Sequence, residues 1–112
     1  MKRARVLSML AAAALAGIPA MAQAETNETG QQLFRRHCGM CHLQGGTGTF
    51  MLSRRLGEEQ ALLESRTDLP AELVRQAVRY GIVSMPRFSR AELPDAELEL
   101  IADYLSSPKE TP

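Results

Sequence analysis

Beyond residue 24 the apolar positions recur at helical spacing. Leu73, Val74, Ala77 and Val78 follow Asp68-Leu69-Pro70 three and four apart. The proline suits a first helical position, where its missing N–H costs nothing, and Gly81 reads as the stop. Leu98, Ile101, Ala102 and Leu105 form an i, i+3, i+4, i+7 stripe in a helix predicted from near Pro94 and Asp95 to Ser106. Its acidic first turn complements the helix dipole. A first helix is predicted from about Thr29 to Cys38, carrying Leu33 and Phe34. A short one is predicted over 58–65, with Leu62 and Leu63 as its apolar contacts. QGGTGT (44–49) and IVSMPRFSRAEL (82–93) read as loops. No segment reads as a convincing strand, so the fold class is all-α.

The start of the chain follows a different pattern. MKRAR is followed by thirteen uncharged residues, VLSMLAAAALAGI, and then by PAMAQA with small residues at Ala22 and Ala24. This is the layout of a secretory signal peptide, residues 1–24, cleaved after Ala24 and directing the product to the periplasm. A retained membrane anchor is the alternative, but the apolar run falls short of the roughly 20 residues that span a bilayer. Of 112 residues, 25–112 then form one domain of 88. The leader holds three of the 13 basic side chains and no acid, which leaves ten against 13 acidic and a formal charge of −3. That balance argues against nucleic acid as a partner. With no Trp, three Phe and two Tyr, so small a core needs a staple.

Both cysteines and both histidines lie in His37-Cys38-Gly39-Met40-Cys41-His42. Cys-x-x-Cys-His is the attachment signature of c-type haem. Two cysteines three apart on one helical turn can form thioethers to the two vinyl groups of one porphyrin. The next residue, His42, is then delivered to the iron as proximal ligand. A structural zinc site needs four ligands around a tetrahedron, and no second ligand pair exists downstream. A thioredoxin-like pair needs a βαβ context that is absent. His37 reads as a polar surface side chain beside the haem edge. Of the remaining methionines, Met40 lies inside the motif and Met51 reads as core filler. Met85 sits in a loop 43 residues after His42, and Pro86 disfavours helix at that position. Met85 is therefore the predicted sixth ligand.

GQQLFRRHCGMCH, RYGIVSMPRF and DAELELIADYLSS resemble class I c-type cytochromes in order and spacing, over nearly all of the mature chain. The resemblance implies the cytochrome c fold, whose first and last helices cross over one covalent haem. The matching crossing positions are Gly30, Phe34, Tyr104 and Leu105. Within that family the chain is similar to the cytochrome subunits of bacterial flavocytochromes that oxidise phenolic compounds, of the p-cresol methylhydroxylase and eugenol hydroxylase type. One departure concerns the Pro that the family carries a few residues after the haem-binding His and whose carbonyl orients that His. Here Thr49 or Phe50 takes its place, which leaves a backbone carbonyl in 48–50 as the predicted acceptor. The segment RRLGEEQALLESRTDL is also longer than the minimal family loop and is predicted to shape a partner surface or cover a haem edge.

The implied function is one-electron transfer, not catalysis. A dehydrogenase, in this branch a flavoprotein, would be the donor, and an oxidase or another cytochrome the acceptor. Arg79, Tyr80, Arg87 and Arg90 flank the Met85 loop and are candidates for haem-propionate or partner contacts. The competing reading is a haem protein that binds small ligands or acts as a peroxidase, with Met85 labile.

Overall fold

The computed structural model describes residues 27–109, so the signal segment 1–24 lies outside the described residues. Among the described residues five helices run in the order α1 (Gly30–His37), α2 (Gly39–His42), α3 (Thr47–Leu56), α4 (Ala71–Tyr80) and α5 (Asp95–Ser106). Two 3-10 turns, Glu58–Gln60 and Leu63–Ser65, lie between α3 and α4. Among the described residues there is no strand, only an isolated bridge between Ile82 and Met85. The all-α expectation holds.

α1 begins with a capping box. Thr29 Oγ1 accepts from Gln32 N, and the Gln32 side chain accepts from Thr29 N. Leu33 and Phe34 then point inward against Leu98, Ile101, Ala102 and Leu105 of α5 and Val74 and Val78 of α4. Leu69 and Leu93, in the connections, complete the core. α1 and α5 cross at Gly30. A Cβ there would collide with Leu100 O and lie 2.7 Å from Tyr104 Cβ. The crossing is that close because position 30 carries no side chain. Phe34 and Tyr104 meet beside it with ring centroids 6.2 Å apart.

Polar side chains lock the crossing from two directions. His37 Nε2 lies 3.0 Å from Glu97 Oε2, which also receives Arg36 at 3.4 Å. His37 is thus a tie between α1 and α5, not a bystander at the surface. On the other side Glu64 receives Arg35 at 3.1 and 3.3 Å and the Tyr104 hydroxyl at 2.7 Å.

Three local expectations change. The loop predicted to last through Thr49 gives way to α3 at Thr47, because the Thr49 hydroxyl bonds back to Leu43 O at 2.9 Å and fixes the first turn. The helix predicted over 58–65 is two 3-10 turns, interrupted where Leu62 adopts extended geometry (φ −87°, ψ 110°). An eight-residue segment gains little from helix propagation, so tertiary contacts decide it. Here the break accompanies burial of Ala61 and the Glu64–Tyr104 bond. Met51, expected in the core, is exposed on α3.

Burial raises the Glu64 pKa, but hydrogen bonds from Tyr104 and Arg35 outweigh it and hold the carboxyl below its ordinary value. A depressed folded-state pKa contributes stability that is present above the unfolded value, about 4.3. That stability is lost as pH falls through the folded value. Glu64→Gln should therefore cost about 1 kcal/mol at pH 7. Urea unfolding should show the gap between variant and wild type closing as pH falls below about 4.3.

Candidate cofactor cavity

The chain from Cys38 to His42 closes on itself as one helical turn. Cys41 N and His42 N both donate to Cys38 O, at 3.1 and 2.9 Å. Cys38 is half-buried and Cys41 exposed, and neither forms a disulfide. Burial, and then the neighbouring Cys41, push the Cys38 thiol up to about 11. A thiol that is protonated at neutral pH is a poor redox nucleophile, so the dithiol reading finds no support. Burial also lowers the His42 pKa, which keeps its imidazole in the neutral, metal-binding form.

A cavity of about 320 Å³ opens beside this turn, within the range of cofactor pockets, about 300–1,000 Å³. Cys38 and His42 form part of its wall, and so does Met85 from the far end of the chain. The rest is almost wholly apolar. α1 gives Phe34, α3 gives Leu52 and Leu56, α4 gives Leu73, Val74, Ala77 and Val78, and α5 gives Ile101 and Leu105. Leu73, half-exposed by surface area, finds its role as cavity wall. The donor set fits a haem. It offers a thiol, a neutral imidazole and a thioether around an apolar space, beside the Cys-x-x-Cys turn. Cys41 is not part of the cavity lining and lies on the exposed side of the turn.

Met85 is held by backbone, not by chance. Gly81 ends α4 at φ 75°, where a Cβ would lie 2.7 Å from Met85 O. Ile82 N donates to Met85 O at 3.3 Å and Met85 N to Ile82 O at 2.9 Å, which closes a tight turn with Val83 at φ 54°. Phe88 N then donates to Val78 O at 2.8 Å and returns the loop to α4.

Arg79 completes this clamp. Its guanidinium donates to Phe88 O at 3.1 Å, to Leu93 O at 2.9 Å and to Asp95 Oδ1 at 2.6 Å. The side chain is only 13% exposed and is not in the cavity wall. Arg79 was expected to reach the propionates or a partner; its two terminal nitrogens are instead engaged by loop carbonyls and Asp95, while its Nε is buried without a hydrogen-bond partner. Arg90 pairs with the same Asp95 at 2.7 Å, and Tyr80 and Arg87 are exposed. Together these four residues flank a separate surface depression of about 360 Å³.

The cationic side chains that do line the cavity are Arg55 and Arg66. Arg66 is 12% exposed and bonds Asp68 through two nitrogens, at 2.8 and 2.9 Å, which raises its pKa. Sequence reasoning missed both as site residues. The signal was present in the length of RRLGEEQALLESRTDL, which contains them. The predicted carbonyl acceptor for His42 is not there: Nδ1 is buried with no hydrogen-bond partner. Residues 47–56 are helical, so their carbonyls are directed along α3.

Replacing Arg79 with Met should lower stability by about 2 kcal/mol, because it strips two loop carbonyls and a carboxylate of their shared donor. Guanidinium unfolding should register the drop. A change within about 0.5 kcal/mol would return Arg79 to an ordinary surface role.

Comparison with known proteins identifies the family. Residues 25–105 match the family model described as cytochrome c oxidase, cbb3-type, subunit III. A solved structure, the crystal structure of p-cresol methylhydroxylase with substrate bound, aligns with a TM-score of 0.53 and 32% identity. The match covers 70% of this chain and 90% of that one. No curated protein matches in a sequence comparison. The chain belongs to the cbb3-type subunit III family of cytochrome c domains, and it is a monohaem electron carrier with the cytochrome c fold.

Proposed function

We propose that the protein is a periplasmic one-electron carrier with haem bonded to Cys38 and Cys41 and with His42 and Met85 as axial ligands. Residues 1–24 act as the cleaved export signal and 25–112 as the working domain. Its donor is a flavoprotein dehydrogenase that oxidises phenolic compounds, a reading supported by the likeness to p-cresol methylhydroxylase. A downstream oxidase or cytochrome takes the electron on. The observation that carries the proposal is the convergence of Cys38, His42 and Met85 on one apolar cavity.

When bound, the haem supplies a one-electron Fe(III)/Fe(II) couple. The chain's own residues set how that couple behaves. His42, kept neutral by burial, offers a nitrogen lone pair, and the clamped loop offers the Met85 thioether. The apolar wall excludes water and disfavours the added positive charge of the oxidised state, which raises the potential. Arg55 and Arg66 offer guanidinium donors to the cofactor's carboxylates. Ile82 and Val83, exposed at the tip of the Met85 loop, and Arg87 beside them form a rim for an acidic partner.

Optical spectra test the ligation and separate it from the ligand-binding alternative. The ferric protein should show a far-red methionine–iron absorption band that disappears in Met85→Ala. Ferrous wild type should resist carbon monoxide, and the variant should bind it. Binding by wild type as fast as by the variant would overturn the carrier reading.

A further inference from the structure

The stretch that replaces the family proline has its own construction. Thr49 is the buried polar residue of the described core, 7% exposed. It sits in the first turn of α3, and its hydroxyl donates to Leu43 O at 2.9 Å and also lies 3.4 Å from Cys41 O. Both carbonyls belong to the attachment turn or its exit. One side chain therefore fastens α3 to the segment that carries Cys41 and His42.

The fastening brings Gly48 against the imidazole. A Cβ at position 48 would lie 2.8 Å from Cys41 O, 3.1 Å from His42 Cε1 and 3.3 Å from His42 Nδ1. Only a residue without a side chain lets the backbone approach the ring this closely. A Cβ at Gly46 would collide with Cys41 O, so the helix start is pressed onto the attachment turn at two points. Meanwhile Nδ1 is buried and has no hydrogen-bond partner. A metal-binding imidazole normally gives its second N–H to an acceptor that fixes the ring plane and raises its basicity.

We propose that Thr49 and Gly48 are the positioning residues of His42, holding its ring by contact with the first turn of α3 instead of by a hydrogen bond at Nδ1. The inference rests on His42 being the proximal ligand. Thr49 draws the helix in, and Gly48 provides the flat surface that meets the ring. An imidazole without an acceptor donates less strongly to iron, which favours the reduced state.

The test uses holoprotein with intact haem. In the ferric state, proton shifts of the four haem methyls report the plane of the axial imidazole. Thr49→Val keeps the shape and removes the hydroxyl, and it should change the spread of those shifts. Thr49→Ser keeps the hydroxyl and should restore the wild-type pattern. Gly48→Ala, which sets a methyl against the ring, should change the pattern as well. A Thr49→Val spectrum superimposable on wild type, or a Thr49→Ser spectrum as altered as the valine variant, overturns the role of the hydroxyl. Wild type itself provides a second arm that needs no variant to fold. In reduced, ¹⁵N-histidine-labelled protein, the His42 Nδ1–H should show no scalar coupling to a backbone carbonyl. A resolved coupling overturns the proposal. Loss of the far-red band in wild type would instead mark a failure of the axial-ligand reading.

Discussion

The structure depends on an apolar space that its own side chains do not fill. The domain has no Trp, three Phe and two Tyr, and its helices are short. Phe34, Val74, Val78, Ile101 and Leu105 belong both to the packed core and to the wall of the cavity. Core and cofactor site are therefore one surface with two sides. A haem held by two thioethers is at once the redox centre and the missing part of the core. Small domains commonly need such a staple, because too little of their surface is buried by the chain alone.

The other devices follow from that constraint. The α1–α5 crossing at Gly30, tied by His37–Glu97 on one side and Arg35–Glu64–Tyr104 on the other, builds one wall. Arg79 fixes the 82–93 loop so that Met85 stays at the cavity. Thr49 fixes α3 against the attachment turn at the proximal end. In each, polar side chains span two elements and stabilise a position, where apolar packing alone would allow sliding. An electron carrier benefits from that rigidity, because ligands that do not move between oxidation states need no reorganisation.

Much of this was legible in the sequence because its signals are local. The stripes of α4 and α5, the Pro and Gly at their ends and the Cys-x-x-Cys-His turn each lie within a dozen residues. The loop position of Met85 was legible because Pro86 and the lack of periodicity marked a loop. The misses arise where a partner distant in sequence decides the outcome. Arg79 looked free to serve the site because nothing nearby shows that Phe88 O and Leu93 O fold back onto it. His37 looked idle because Glu97 lies 60 residues away. Arg55 and Arg66 were hidden in a segment whose path depends on Gly57 and on the extended Leu62. The glycine-rich start of α3 read as loop, since its stability comes from one hydroxyl reaching back to Leu43.

The central claim is that the covalent haem completes the core. Thermal unfolding by circular dichroism, comparing the haem-loaded protein with the Cys38→Ala/Cys41→Ala double variant that cannot attach it, tests this most directly. The account predicts one cooperative transition for the loaded protein and a low-temperature, non-cooperative loss of helix for the variant. A cooperative transition of the variant at the same temperature as the loaded protein would contradict it.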